Sequence, residues 1–479
     1  MKEKVRTGVF FLAGDYFWQA GVIDDQNGRF AGFAQKIEAD VERIIFFLSQ
    51  HCEVVTSRLL HSTEQAVKEA RLFKTEGVDA IIYIPIIWTY DQPIVAFLQE
   101  MSPVPILIWA YSPFSGLPQY LKAEEFLGAT GAVSVQQSSN ILQRYHWDYE
   151  VTLGNETEPN TVEDIHAFLK SVAVKRSLIG SRIAVIPSPC RVVVSTWVDE
   201  FFLNQKFGIE LLYISVEQLN QVIQNVTVER ANDYLGYLKS RFPLSNISDE
   251  TLLASCRQAV GMADLVDEYG LSGIALEDFN EDIYRVLKFR PHLYHPHIGE
   301  MGAYIGLEAD VSNVLSTLII SRLSGGTGMF NELLSVDTRN GTFLMGHPGP
   351  FDFSLGDPDT FRVTRDLEFD SSADCGAWVG FRAHEGTMTF LNFTPEYGRL
   401  KTACFQGDAL PGSIALEGYV HMIIKPRLPA VPLFKKIVKL GLIQHWGTAY
   451  GDLVKELEFF SNIMSLNVQF LTPQEDELA

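Results

Sequence analysis

At 479 residues the chain exceeds what one hydrophobic core usually serves, and 47% apolar with 20% charged residues is the composition of a folded protein of two or three domains. A formal net charge of −21 excludes partners that need clustered Lys and Arg, so neither nucleic acid nor an anionic membrane surface is expected. Cys52, Cys190, Cys256, Cys375 and Cys404 stand far apart with no C-x-x-C pair, which excludes a zinc ribbon and a disulfide framework.

The first apolar run, Val5–Ala13, meets Gly14 and Asp15 at once and reads as a buried strand rather than a signal peptide. No apolar stretch is long enough to span a bilayer, so a cytoplasmic location is expected. Cys52–Val55, Ala80–Pro85 and Pro105–Tyr111 are further buried strands, separated by helices at Phe33–Leu48 and Thr63–Lys74. Such alternation predicts a doubly wound, Rossmann-like α/β domain over residues 1–176. Ligands in that architecture bind beyond the carboxyl ends of strands, which points to Gly14–Gln19, Trp88–Gln92 and Tyr111–Phe114.

A second βα series, residues 177–326, has strands at Ser181–Pro187, Ile209–Ile214 and Ser272–Leu276, and helices through Glu217–Ser240 and Asp249–Tyr269. It predicts a second Rossmann-like domain closed by the helix Val311–Leu323. That helix carries Val311, Val314, Leu315, Leu318, Ile319 and Leu323 on one face, with Asp310 as N-cap and Gly325-Gly326 as its stop. From residue 327 to 479 the texture changes to short alternating runs divided by Gly, Pro, Asp and Asn. They predict an antiparallel β-barrel domain with a terminal helix at Tyr450–Met464.

Four ionisable residues in the second half invite a chemical reading. Glu308 precedes a helix, where the helix dipole alone explains an acid. Glu332 stands in the apolar run MFNELL, where an unpaired carboxylate is costly to bury. His347 precedes Pro348-Gly349-Pro350, and His445 is an isolated imidazole in LIQHWGTAYGD; a lone histidine is more often a satisfied core residue. Taken together, two carboxylates and two imidazoles form a mixed N/O set that suits Mn²⁺, with Co²⁺ as a substitute. A competing cluster, His292, His295 and His297 in PHLYHPH, reads as a surface loop. Cys190-Arg191 reads as the head of a helix, a place to meet an oxyanion; a surface or interface salt bridge explains Arg191 equally well. Gly325-Gly326-Thr327-Gly328 is too short to cradle phosphate, and no G-x-S-x-G elbow exists.

The order Glu308, Gly325-Gly326-Thr327, Glu332, Gly346-His347 resembles the metal-site segment of the L-arabinose isomerases, within the arabinose/fucose isomerase superfamily. SPCRVVVSTWVDEFFLNQKFG and EEFLGATGAVSVQQS extend the resemblance, and His445 in Gln444-His445-Trp446 matches the family's C-terminal histidine segment. The resemblance implies a metal-dependent aldose–ketose isomerase, an intramolecular oxidoreductase acting on an open-chain sugar through an enediol. It implies Glu308, Glu332, His347 and His445 as metal ligands, with Glu308 and Glu332 also the acid/base pair. Asp310 is an alternative proton carrier. The resemblance also implies a homo-oligomer, a hexamer, in which one subunit's first domain completes a neighbour's pocket.

This chain departs from the family where the sugar tail is held. Gly14-Asp15-Tyr16 and Ala110-Tyr111-Ser112 replace glutamine-bearing motifs, and Cys190 replaces a methionine. Asp15, Tyr16, Tyr111, Cys190 and Arg191 are therefore the expected substrate-binding residues of an altered pocket. The alternative function is a non-catalytic sugar sensor on the isomerase fold.

Overall fold

The computed structural model describes residues 4–16, 30–367 and 375–473, and the chain divides into two compact units. One comprises Met1–Arg176 with Lys455–Ser465; the other comprises Ser177–Val454 with Leu466–Ala479. Residues 17–19 of the expected strand-end stretch lie outside the described residues.

In the N-terminal unit the strands β1 (Arg6–Leu12), β2 (Glu53–Val55), β3 (Leu59–Leu60), β4 (Ala80–Pro85), β5 (Ile106–Tyr111) and β6 (Tyr149–Gly154) form one parallel sheet. Its order is β2-β1-β4-β5-β6, with β3 also paired to β1. β4 is buried at all six positions because both faces are covered, which is why it reads as an unbroken apolar run. The helix Phe33–His51 packs Ile37, Val41, Ile44 and Leu48 on one face with Ile82, Trp109 and Phe168. The helices Thr63–Glu76 and Asp91–Glu100 pack Phe73 and Phe97 on the other. Ser62 and Gln65 make a capping box that sets the start of the Thr63–Glu76 helix. The helix Val454–Ile463 contributes Phe459, whose ring meets Phe168.

The larger unit holds a second parallel sheet, β10-β9-β7-β8, from β7 (Arg182–Ile186), β8 (Glu210–Tyr213), β9 (Leu271–Leu276) and β10 (Tyr304–Gly306). It also holds a mixed sheet of β11 (Gly328–Asp337), β12 (Thr342–His347), β15 (Gly386–Glu396), β16 (Arg399–Ala409), β17 (Val420–Pro426), β18 (His445–Tyr450) and β19 (Val468–Leu471). Antiparallel pairing runs β15-β18-β11-β12-β17-β16, and β16 pairs back to β15, so six strands close a cycle; β19 joins β16 in parallel. β13 (Arg362–Arg365) and β14 (Ala377–Gly380) form a separate pair.

The helix Val311–Ser324 connects the two sheets of this unit. Asp310 caps it, with Oδ1 accepting from the Asn313 N–H at 3.1 Å, and Gly325 ends it at φ 73°. The single apolar face expected of it is exceeded: Ser312, Asn313, Ser316, Thr317 and Ser321 are buried as well. Burying Val314, Leu315, Leu318 and Ile319 contributes about 1.5–3 kcal/mol each. The helix approaches β18 so closely that a Cβ on Gly447 would lie 2.4 Å from the Thr317 nitrogen. Glycine is required there by the backbone approach.

Three expectations need correction. Cys190-Arg191 does not head a helix: a 3₁₀ turn covers Val194–Thr196, and the α-helix starts at Glu200 under its Asp199 cap. The β-branched run Val192-Val193-Val194 disfavours an earlier start. PHLYHPH is not a surface loop throughout, since His292 is fully buried with Nδ1 2.9 Å from Asp366 Oδ2. The last helix neither starts at Tyr450, which ends β18, nor closes the chain, because β19 follows it.

Candidate metal centre

The parallel sheet of the larger unit reverses its strand order between β7 and β9, the point where open α/β sheets bind ligands. Three segments leave the carboxyl ends of its strands here. Cys190-Arg191 follow β7, Glu277-Asp278 follow β9, and Glu308 follows β10. The turn after β10 is unusual, with Glu308 at φ 55° and Ala309 at φ 48°. Two successive non-glycine residues in the left-handed region cost about 1–3 kcal/mol each. Ala309 N–H donates to Leu276 O at 3.0 Å and Glu308 N–H to Asp278 Oδ1 at 3.1 Å, which offsets that strain.

The mixed sheet supplies the imidazoles. His445 opens β18, His347 ends β12, and the strand between them in the pairing order, β11, places Glu332 opposite both His445 and Gly346. One ligand atom each from Glu308, His347 and His445 all lie within 4.8 Å of one another. His445 Nε2 is 3.4 Å from Glu308 Oε2, and His347 Nε2 is 4.0 Å from Oε1. Phe330 packs against both rings, at 4.6 Å from His445 and 5.1 Å from His347. Glu332 stands beside this group, outside the 4.8 Å span, and its charge is felt by Glu308 and His445.

Each imidazole is oriented through its other nitrogen. His347 Nδ1 donates to Pro348 O at 2.9 Å; a carbonyl can only accept, so the proton is on Nδ1. His445 Nδ1 donates to Asp310 Oδ2 at 2.8 Å. Both Nε2 atoms are buried with no hydrogen-bond partner among the described residues. Two such nitrogens aimed beside a carboxylate could serve as donors to a metal ion, with Asp310 and Pro348 orienting the rings. The residues fit a divalent metal.

The electrostatics agree with shared occupancy of a small buried space. Burial, with Asp278, Glu332 and Asp310 close by, pushes the Glu308 carboxyl up to about 7 against the pull of His445. Burial raises Glu332 as well. Burial and then His445 hold His347 well below the ordinary imidazole range, leaving it neutral. Burial opposes charge on His445, but Asp310, Glu308 and Glu332 together raise it. Asp310 is fully engaged, since its two oxygens accept from Asn313, Ser312 and His445.

Cys190 is buried and lies within the fields of Glu277 and Glu308, while the exposed Arg191 is felt by Glu277. Asp15, Tyr16 and Tyr111 belong to the N-terminal unit. Asp15 hydrogen-bonds Tyr90 at the switch point between β1 and β4, where Tyr16 is exposed. Tyr111 is buried, and its hydroxyl accepts from Arg43 at 3.0 Å.

Residues that sequence reasoning passed over are Asp278, which bonds the Glu308 backbone, and Tyr419, whose hydroxyl feels Glu332, Arg290 and Glu308. Gln444 Nε2 also donates to Glu308 Oε2 at 3.4 Å. The strand-end rule applied to Ser272–Leu276 points to Asp278; nothing local in the sequence marks Tyr419.

No family model matches the chain. It is 21% identical over 396 residues to a sulfoquinovose isomerase of Alkalicoccus urumqiensis, covering 81% of this chain and 85% of that protein. A sulfoquinovose isomerase of Clostridium sp. (strain MSTE9) is 22% identical over 345 residues, 71% of this chain and 75% of that protein. These likenesses span most of the chain and support an isomerase of the intramolecular oxidoreductase class that works on a sugar. Among the described residues no helix is long and apolar enough to cross a membrane.

Proposed function

We propose that the protein is a metal-dependent aldose–ketose isomerase acting on an open-chain sugar, with Mn²⁺ as its metal and Co²⁺ as a substitute. The observation that carries this reading is the convergence of Glu308, His347 and His445 within 4.8 Å, with both imidazole Nε2 atoms buried and free to ligate. Glu308, His347 and His445 would hold the ion, and Glu332 stands beside them, its charge felt by Glu308. A bound divalent ion supplies Lewis-acid polarisation of adjacent sugar oxygens.

Isomerisation moves a proton from C2 to C1 of the aldose and a hydroxyl proton from O2 to O1. Burial raises both carboxyls, and Glu308, pushed up to about 7, can take up and release a proton at working pH. Metal ligation lowers a carboxylate's basicity, so Glu332, outside the tight cluster, is the better carrier of the carbon-bound proton. Glu308 serves as ligand and as partner for the hydroxyl proton. Asp310 orients His445 and is too fully bonded to shuttle a proton itself.

Cys190, Arg191, Asp15, Tyr16 and Tyr111 remain the proposed contacts to the sugar, and a homo-oligomer the proposed assembly. The relatives' names make sulfoquinovose the first substrate to test. The test is a panel of aldoses, with sulfoquinovose and L-arabinose among them, incubated in heavy water with Mn²⁺. Deuterium incorporation and ketose formation from one sugar are expected. Absence of both across the panel, together with no metal in protein purified without chelator, overturns the reading in favour of a sugar sensor.

A further inference from the structure

A buried cluster behind the candidate metal centre has no part in the scheme above. Asp278, Arg290, His292 and Asp366 have almost fully buried side chains. Arg290 reaches Asp278 Oδ2 at 3.5 Å and Asp366 Oδ2 at 3.2 Å. His292 stands between the same two carboxylates, with Nε2 3.7 Å from Asp278 and Nδ1 2.9 Å from Asp366. Arg290 also donates to Leu367 O. A buried carboxylate is costly unless a charge faces it, and the Arg290 guanidinium, 3.5 Å from Oδ2, favours one orientation of Asp278.

That orientation matters because the other oxygen of Asp278 faces the metal centre. Oδ1 accepts the Glu308 N–H at 3.1 Å, at the residue where the chain turns left-handed through Glu308 and Ala309. Neither residue is glycine, so the turn needs an outside partner to hold it. Asp366, by contrast, stands against the same two side chains, and among the described residues no hydrogen bond links it to Glu308.

We propose that Asp278 is a positioning residue for the metal site: paired with Arg290, it holds the Glu308 backbone in the turn that aims its carboxylate at His347 and His445. The inference rests on the metal reading of the centre, and the two are separable by experiment.

The test is Mn²⁺ titration of metal-stripped wild type, Asp278→Asn, Asp278→Ala and Asp366→Asn, each with its Tm. Asn offers one oxygen to the donors that Asp278 serves with two, so both Asp278 variants are expected to bind Mn²⁺ about tenfold or more weakly. Asp366→Asn removes a carboxylate from the same cluster and lowers Tm comparably, yet is expected to bind within about threefold of wild type. Equal losses in the Asp278 and Asp366 variants would mean general loosening and overturn the proposal, as would wild-type affinity in a folded Asp278 variant. Failure of wild type to bind Mn²⁺ would instead overturn the metal reading, and this inference with it. Either folded Asp278 variant suffices for the comparison.

Discussion

The two units carry parallel sheets with the same start to their strand order, yet the crevices at their switch points differ in kind. In the N-terminal unit the ends of β1 and β4 gather Asp15, exposed Tyr16 and Tyr90, groups that donate and accept hydrogen bonds or stack. In the larger unit the ends of β7, β9 and β10 gather Cys190, Glu277, Asp278 and Glu308, and a second sheet adds His347, His445 and Glu332. A parallel sheet supplies carboxylates at its edge in both. Among the described residues, only the larger unit has a mixed sheet packed close enough, through Gly447 and the helix Val311–Ser324, to bring imidazoles against them. The proposed chemistry therefore draws on groups of the larger unit, while the smaller offers groups suited to hydrogen bonding.

The sharpest way to break that division is to remove a carboxylate from the larger unit. Glu308→Gln and Glu332→Gln are each expected to lower kcat by about 10²–10⁴-fold, read in the heavy-water exchange assay, with the fold retained by circular dichroism. Near-normal turnover in either variant contradicts the assignment of the proton pair.

Next in size is the orientation of the imidazole. Asp310→Asn leaves the helix a capping group but weakens the hold on His445 Nδ1, and should cost about 10–100-fold in Mn²⁺ affinity, measured by titration of stripped protein. Wild-type affinity would show that the Asp310–His445 bond serves only the core.

A smaller effect follows from Glu308 in protein treated with chelator. Its carboxyl keeps a proton up to about pH 7 when folded, while the unfolded chain releases it near 4.5. The folded state thus binds the extra proton in that window, and its stabilising effect is full below 4.5 and lost as pH rises through 7. Relative to Glu308→Gln, which cannot titrate, stripped wild type should lose about 2–3 kcal/mol between pH 4.5 and 7.5 in denaturant melts. A difference that stays flat with pH sinks this account of the buried carboxyl.

The mildest change belongs to the smaller unit. Asp15→Asn keeps a polar group beside Tyr90, and KM for the substrate should rise by about five- to tenfold while kcat holds, the value of one hydrogen bond. A large fall in kcat would erase the contrast between the units.

How much of this could be read in advance follows the same contrast. β4 is legible to the residue because both its faces are apolar, and Asp249–Tyr269 because its Ser248 cap and Gly270 stop are local signals. Capping and stopping of Val311–Ser324 were legible for the same reason, whereas burial of its Ser312, Asn313 and Ser316 face was not. Ser312 and Ser316 bond to the cap and the helix itself, while Asn313 bonds the backbone of Phe393 in β15, and the close approach of β18 and β15 is not written in the local sequence. Glu308, His347 and His445 were legible as a set through their order along the chain, though not through any spacing. His445 meets the others only by way of strand pairing across more than a hundred residues. Asp278 escaped notice because its meaning lies in one bond to a backbone nitrogen thirty residues away. Arg191 was misplaced because a run of valines was read as helix.

The most direct test of the central claim is hyperfine spectroscopy of the Mn²⁺-loaded protein with its histidines labelled with ¹⁵N. Coupling to two imidazole nitrogens is expected, with one lost in His347→Gln and the other in His445→Gln. A bound ion that shows no histidine nitrogen, or whose couplings survive both substitutions, would contradict the account.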